Sequence, residues 1–384
     1  MWMKERARSI INSSPFLWDL KRATYDRVWD YLEDRAPRWV QCPQDIQIDT
    51  HNYCSSTHEP DEEGVLQYKY TGCAFCNVKE GGAFKIPRGR MDDDLLKYII
   101  DYWATKRHLG TEYICPYVNG DPIIDDRLPW INQYSMEKGL KVVVDTSGNV
   151  YKNREWLVHP NLTLLRFSIS AITSETYEKV QGCPKFKEAL DTFHYVADNK
   201  HPSQQLELHF MVNSYNEHEV DEYVEYFKGY KIKLFPLHEM PDIQLNSEAV
   251  LPSDKWRNKV DTQEEWEQSR PLFIYPNGRQ ERQIMRKSKT CQGMAYAVQW
   301  DGTILHCTDA PPDYADSEFY LGQVKADGSG TDMLEAWHQR NKQRIRHPGC
   351  IACNAKRNDW ESTLKKYVLS PEEWDEEQTR RAQL

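Results

Sequence analysis

Residues Asp45–Cys54 read DIQIDTHNYC, and after an 18-residue interval Cys73–Asn77 read CAFCN. The first stretch alternates apolar and polar positions from Ile46 and Ile48 onward and ends in a cysteine, the period-2 pattern of a half-buried strand. The second puts two more cysteines in the loop before the next helix. Three thiolates near one strand end can hold three irons of a [4Fe–4S] cluster and leave the fourth iron open for a ligand. A structural zinc ion would take a fourth protein ligand, which His51 or His58 could supply.

Outward from this stretch the chain alternates strands and helices. A helix is expected at 91–109, with Leu95, Leu96, Ile99, Ile100 and Trp103 on one face. Asp92, Asp93 and Asp94 suit its first turn, Lys106, Arg107 and His108 its last, and Gly110 can close it. Further strands are predicted over 112–118, 141–145, 162–170, 205–212 and 231–237, and helices near 128–138, 185–198 and 217–227. Strands that each feed a helix or crossover give an α/β fold with a parallel sheet, open or curled into a partial barrel. Ligands in such folds sit at the carboxyl ends of the strands. Those ends carry Asn119, Gly120, Asp121 and Pro122; Thr146, Ser147 and Gly148; Ser168 and Ser170; and Asn213 and Asn216. Short polar residues and glycines gathered there suit a polar cofactor with an amino acid part and a nucleoside part.

The whole chain has 384 residues and a formal charge of −10, which disfavours a chain-wide grip on nucleic acid. No apolar run approaches the ~18 residues that span a bilayer. The segment Met1–Arg6 has no apolar signal region, so a cytoplasmic location is expected, with metal or redox chemistry preferred over disulfides. There are ten cysteines. Random placement would give about 0.26 C-x-x-C pairs, and two are present, Cys73/Cys76 and Cys350/Cys353.

The second pair belongs to a later group, Cys291, Cys307, Cys350 and Cys353. Asp301-Gly302 between apolar runs predicts a hairpin that brings Cys291 and Cys307 to neighbouring positions. A helix at 333–344 then leads to the last two cysteines. Four thiolates can close a [4Fe–4S] cluster or a zinc ribbon. The expected organisation is a helical extension at 1–44, a barrel at 45–240, a connecting segment at 241–290, a cysteine-rich domain at 291–355 and a charged tail at 356–384.

The cysteine loop and strand ends together resemble the radical S-adenosylmethionine (SAM) enzymes. Asn119-Gly120-Asp121-Pro122 is similar to that family's Gly-Gly-Glu-Pro motif, which implies backbone contact with the methionyl amino group of SAM. The same resemblance implies that Phe75 lies near the adenine and Ser168 contacts the ribose. It implies a partial (β/α)6 TIM-like barrel over about 45–240. Two features depart from the pattern. The first cysteine gap is 18 residues rather than three, filled by an acidic insert at 55–72, and Asp121 stands where Glu is usual. The later cysteines resemble a twitch domain, the short relative of SPASM, with Gly302 to Cys307 matching its Gly-x4-Cys element. That implies one auxiliary [4Fe–4S] cluster, able to accept a substrate electron or to anchor the substrate.

The resemblance implies reductive cleavage of SAM at the Cys54/Cys73/Cys76 cluster and hydrogen abstraction from a substrate C–H bond. The electron would come from a donor such as a flavodoxin or ferredoxin. Twitch and SPASM enzymes commonly modify peptides or proteins, and some oxidise small alcohols or amino sugars. Two basic runs, Arg279, Arg282, Arg286, Lys287, Lys289 and Arg340, Lys342, Arg344, Arg346, His347, are either solvated faces or a site for an anionic substrate such as a phosphorylated metabolite. Cys115 is expected in the core. Cys183 is either core or a catalytic thiol, and Tyr53, His238 and Glu239 are candidates for proton transfer. A non-catalytic, metal-stapled binding protein remains the reading from a different class.

Overall fold

The strand that carries the first cysteine loop, β1, is Asp45–Ile48, with Ile46 and Ile48 fully buried. It is shorter than its alternating pattern. Past Ile48 the chain turns, and His51 forms an antiparallel bridge with Arg90 instead. The computed structural model describes residues 42–61, 63, 65–76, 87–149, 153–237, 250–253, 272–282, 296–305 and 320–343.

Two short strands, β2 (His58–Pro60) and β3 (Leu66–Tyr68), make a separate hairpin inside the insert. Helix α1 spans Asp93–Thr105 and is capped by Asp92, whose carboxylate accepts from the amides of Asp94 and Leu95. Then follow β4 (Tyr113–Cys115), α2 (Leu128–Glu137), β5 (Lys141–Thr146), β6 (Leu162–Ser168), α3 (Ser174–Gln181), α4 (Phe186–Asn199), β7 (Gln205–Val212), α5 (Val220–Tyr226) and β8 (Lys231–Pro236). The alternation expected from the sequence is present. Helix α3 is an addition to it, bounded by the Thr173 cap and by Gly182 in a left-handed conformation at φ 70°.

Strands β8, β7, β6, β5, β4 and β1 lie side by side and parallel. The same sheet continues at both edges. At one, β9 (Leu272–Ile274) and β10 (Gln280–Arg282) add antiparallel to β8, so part of the 241–290 segment joins the sheet. At the other, β11 (Tyr296–Val298) pairs parallel with β1, followed by antiparallel β12 (Thr303–Leu305) and β13 (Tyr320–Gln323). The Asp301-Gly302 turn closes the β11–β12 hairpin with Gly302 at φ 89°, and α6 (Met333–Gln343) packs behind it. The fold is mixed α/β around a largely parallel sheet whose ends, β10 and β13, remain separate among the described residues.

Alternation along the strands divides the sheet into two faces. Val144, Phe167, Leu208, Phe210 and Leu234 pack against Tyr177, Phe193, Tyr223 and Phe227 from the helices. A second apolar group joins Ile46, Ile48 and Leu96 to Val298, Ile304, Met333 and Trp337, so the hairpin and α6 share a core with β1 and α1.

Candidate functional site

The loops after β1, β4 and β5 meet at one buried carboxylate. Asp121 Oδ2 accepts from Ser55 Oγ at 2.7 Å, Ser147 Oγ at 2.6 Å and the Ser147 amide at 3.1 Å. Its Oδ1 accepts from Thr146 Oγ1 at 2.7 Å and the Ile123 amide at 3.3 Å. Ser55 follows Cys54, so this hub fixes the chain beside the first cysteine. Gly120 makes the approach closer still. A Cβ there would lie 2.5 Å from the His51 carbonyl oxygen and 2.7 Å from that of Tyr53. Only glycine lets the 119–121 turn rest on the cysteine loop, where the Asp121 amide donates to the Tyr53 carbonyl at 2.9 Å. Asn119 is held in turn by Asp49, donating to its carboxylate from the backbone at 3.0 Å and from Nδ2 at 3.2 Å. Burial raises Asp49 to about 7 against the pull of those two hydrogen bonds.

The C-x-x-C turn docks on the end of α3. Gly182 lies against the backbone of Gly72, too close for any side chain, and the Ala74 amide donates to the Val180 carbonyl at 2.8 Å. The Cys73 thiol donates to Gln181 Oε1 at 2.7 Å, and Gln181 Nε2 donates to the Ser168 carbonyl at 2.8 Å. One glutamine therefore joins the second cysteine to the end of β6. The insert is anchored as well. Lys185 bonds Glu59 at 2.9 Å and donates to the Ser55 carbonyl at 3.2 Å, while Tyr70 donates to Glu59 at 2.7 Å. Burial opposes ionisation of Glu59, but Lys69, Lys185 and Tyr70 together bring it down to about 2.

Cys54, Cys73 and Cys76 are half-buried thiols. Burial, and then the neighbouring Asp121 and Cys76, push Cys54 up to about 12. Burial also raises Cys73 well above the usual thiol range, followed by the fields of Cys54, Cys76 and Cys183.

Comparison of the whole chain with solved structures places this arrangement in context. Streptococcus suis SuiB bound to S-adenosylmethionine superposes with a TM-score of 0.50 at 10% identity, over 93% of this chain and 82% of that one. The fold is that of the radical SAM enzymes. TYW1 with a lysine-pyruvate adduct matches with a TM-score of 0.36 at 17% identity, over 54% of this chain and 66% of its own. SuiB bound to its precursor peptide SuiA matches with a TM-score of 0.38 at 13% identity, over 58% of this chain. The chain thus spans 66% of that TYW1 chain and 50% of the peptide-bound SuiB chain. No family model matches the sequence, and no curated protein does.

Against the radical SAM fold, the donor set can be tested for a cluster. Three thiols that oppose one another's ionisation need a cationic group to become thiolates. Among the described residues, no three His, Cys, Asp or Glu side chains converge on one metal ion. A cluster would offer each thiolate its own iron, and Cys54, Cys73 and Cys76 lie near enough to raise one another, the neighbourhood such a donor set needs. Both histidines weighed as zinc ligands use Nδ1 in a hydrogen bond, while Nε2 of His51 has no partner among the described residues. His51 Nδ1 accepts the Tyr53 amide at 3.1 Å, and His58 Nδ1 shares a hydrogen bond of 2.7 Å with Thr57 Oγ1.

The remaining expected contacts divide in two. Phe75 packs with Met211, Leu237, Val250 and Leu251, an apolar wall at the ends of β7 and β8. Ser168 is half-buried at the end of β6, and its hydroxyl has no hydrogen bond among the described residues. Pro122 opens a short 3-10 turn and is buried. Ser170 and Asn213 instead shape the end of β7. Ser170 Oγ accepts the Met211 amide at 3.0 Å. Asn213 donates to the Met211 carbonyl at 3.1 Å and accepts the Tyr215 amide at 3.0 Å. Cys183 is wholly buried 3.5 Å from Asn149 Nδ2, and burial pushes its thiol up to about 11, as for a packing residue. Cys115 is buried in β4. Cys291, Cys307, Cys350, Cys353, His238 and Glu239 lie outside the described residues, as do 1–41, 356–384 and most of the two basic runs.

Sequence reasoning did not find Asp49, Ser55, Gln181 or Lys185. Thr173 and Gly182, a cap and a left-handed stop around one short helix, were the signal for Gln181. Nothing local marks the other three, whose partners are distant in sequence.

Proposed function

We propose that this chain is a radical SAM enzyme that holds a [4Fe–4S] cluster on Cys54, Cys73 and Cys76 with SAM beside it. Bound there and given one electron, the pair supplies a carbon radical able to take hydrogen from an unactivated C–H bond. The protein's part is positioning. The Asp121 hub, with Gly120, holds the 119–121 backbone on the cysteine loop, where it can meet the methionyl amino group. Phe75 and its apolar neighbours offer a face for the adenine, and the unpartnered Ser168 hydroxyl is available to the ribose. The observation that carries this reading is the convergence of three strand-end loops on Asp121 directly beside Cys54.

Peptide or protein modification is the preferred reaction, with an auxiliary [4Fe–4S] cluster on Cys291, Cys307, Cys350 and Cys353. Oxidation of a small alcohol, amino sugar or phosphorylated metabolite is the second reading. The electron donor is a flavodoxin or ferredoxin, and the setting is cytoplasmic. No helix among the described residues is long and apolar enough to cross a membrane. Anaerobic purification should yield about eight irons per chain, as two [4Fe–4S] clusters require. Chemical reduction with SAM should then release 5′-deoxyadenosine. Zinc in place of iron, with no 5′-deoxyadenosine, would instead support a metal-stapled binding protein.

A further inference from the structure

The face of β5–β8 turned away from the helices is charged, and its charges are arranged in two rungs. In the lower rung Asp145, Arg166, Glu207 and Lys231 stand opposite one another on successive strands. They are matched. Arg166 bonds Asp145 at 3.1 Å and lies 4.0 Å from Glu207, and Glu207 also pairs with Lys231. In the upper rung Ser168, His209 and Lys233 are register partners, and Phe273 of β9 stands opposite Lys233. His209 is satisfied by Glu207 at 2.7 Å. Lys233 is not matched. Among the described residues it has no carboxylate within ion-pair distance and no hydrogen-bond acceptor. Its ammonium lies 5.5 Å from the Phe235 ring centre and 5.7 Å from that of Phe273. Burial, more than its neighbours, pulls its pKa below the ordinary lysine value.

A half-buried ammonium beside two aromatic rings has lost hydration without gaining an anion. It stands two strands, about 10 Å, from Ser168 in the same rung, the distance of a small substrate reaching from the ribose side of the site. We propose that Lys233 is the binding residue for an anionic group of the substrate, a carboxylate or a phosphate, with Phe235 and Phe273 flanking it. This rests on the reading of the strand ends as the reaction site and adds to it a substrate class. Neither basic run supplies this charge, since Lys233 lies on a barrel strand.

The test is calorimetric titration of the iron-reconstituted full chain, at fixed ionic strength, with inorganic phosphate and separately with acetate. Saturable binding of phosphate, acetate or both is expected. It should weaken by about tenfold or more in Lys233→Met and persist in Lys233→Arg, which keeps the charge. Phosphate alone would indicate a phosphorylated substrate and acetate alone a carboxylate. Equal binding by wild type and Lys233→Met, loss in both variants, or no saturable binding of either anion overturns the proposal. The titration needs no turnover. Wild-type protein that binds anions through Lys233 but yields no 5′-deoxyadenosine would therefore overturn the radical SAM reading and leave the anion site standing.

Discussion

Two regions of this sheet handle carboxylates in opposite ways. At the ends of β1, β4 and β5, Asp121 is surrounded by hydroxyls and backbone amides, all neutral, and all but the local Ile123 amide tie one loop to another. On the charged face of β5–β8, Asp145 and Glu207 are met by cations from neighbouring strands, and one ammonium is left over. The first arrangement is closed and fixes shape. The second is open by one charge. Neutral donors hold a backbone without adding a field, whereas ion pairs leave a field that a ligand can complete.

The hub should therefore be the more damaging place to cut. Asp121→Ala leaves buried donors without an acceptor, each worth ~1–3 kcal/mol, so a loss of about 4 kcal/mol or more is expected in denaturant unfolding. A loss below about 1 kcal/mol would show that the loops hold their places without it. Gly120→Ala tests the same region by crowding. Its methyl meets the His51 and Tyr53 carbonyls, and a destabilisation of ~1–3 kcal/mol with weakened SAM binding is expected. Lys185→Met releases the insert from Glu59 and Ser55 and should lose ~1–2 kcal/mol together with part of the bound iron, read by metal analysis.

The charged face should answer to pH instead. Burial alone would raise Glu207, but His209 and Lys231 override it and hold the group at about 2, against 4.5 when unfolded. Its contribution is thus complete above pH 4.5 and is lost as pH falls toward 2. Glu207→Gln removes that contribution, so it should lower stability above pH 4.5 and flatten the fall across that window, the two curves converging toward pH 2. Parallel curves for both proteins would contradict the assignment.

Much of the frame was legible because it is local. Strand β7 and helix α1 follow from periodicity and capping, and Asp301-Gly302 announces its hairpin. The pairing of β11 with β1 was not legible, since strand neighbours far apart in sequence leave no local pattern. The acidic insert reads as a loop, yet Glu59 finds Lys185 across 126 positions of chain and becomes a clasp. At the site, composition places Ser168, Ser170 and Asn213 at strand ends equally well. Only the fold shows that Ser170 and Asn213 spend their polar atoms on backbone groups around the end of β7 while the Ser168 hydroxyl stays open.

The central claim is that Cys54, Cys73 and Cys76 carry the cluster that cleaves SAM. It is tested most directly by Cys73→Ala in the anaerobically reconstituted chain, reduced in the presence of SAM, with 5′-deoxyadenosine quantified by chromatography. Wild type should release it, and the variant should release none while losing about four irons, one cluster's worth. Undiminished 5′-deoxyadenosine from Cys73→Ala, or none from the iron-loaded wild type, would contradict the claim.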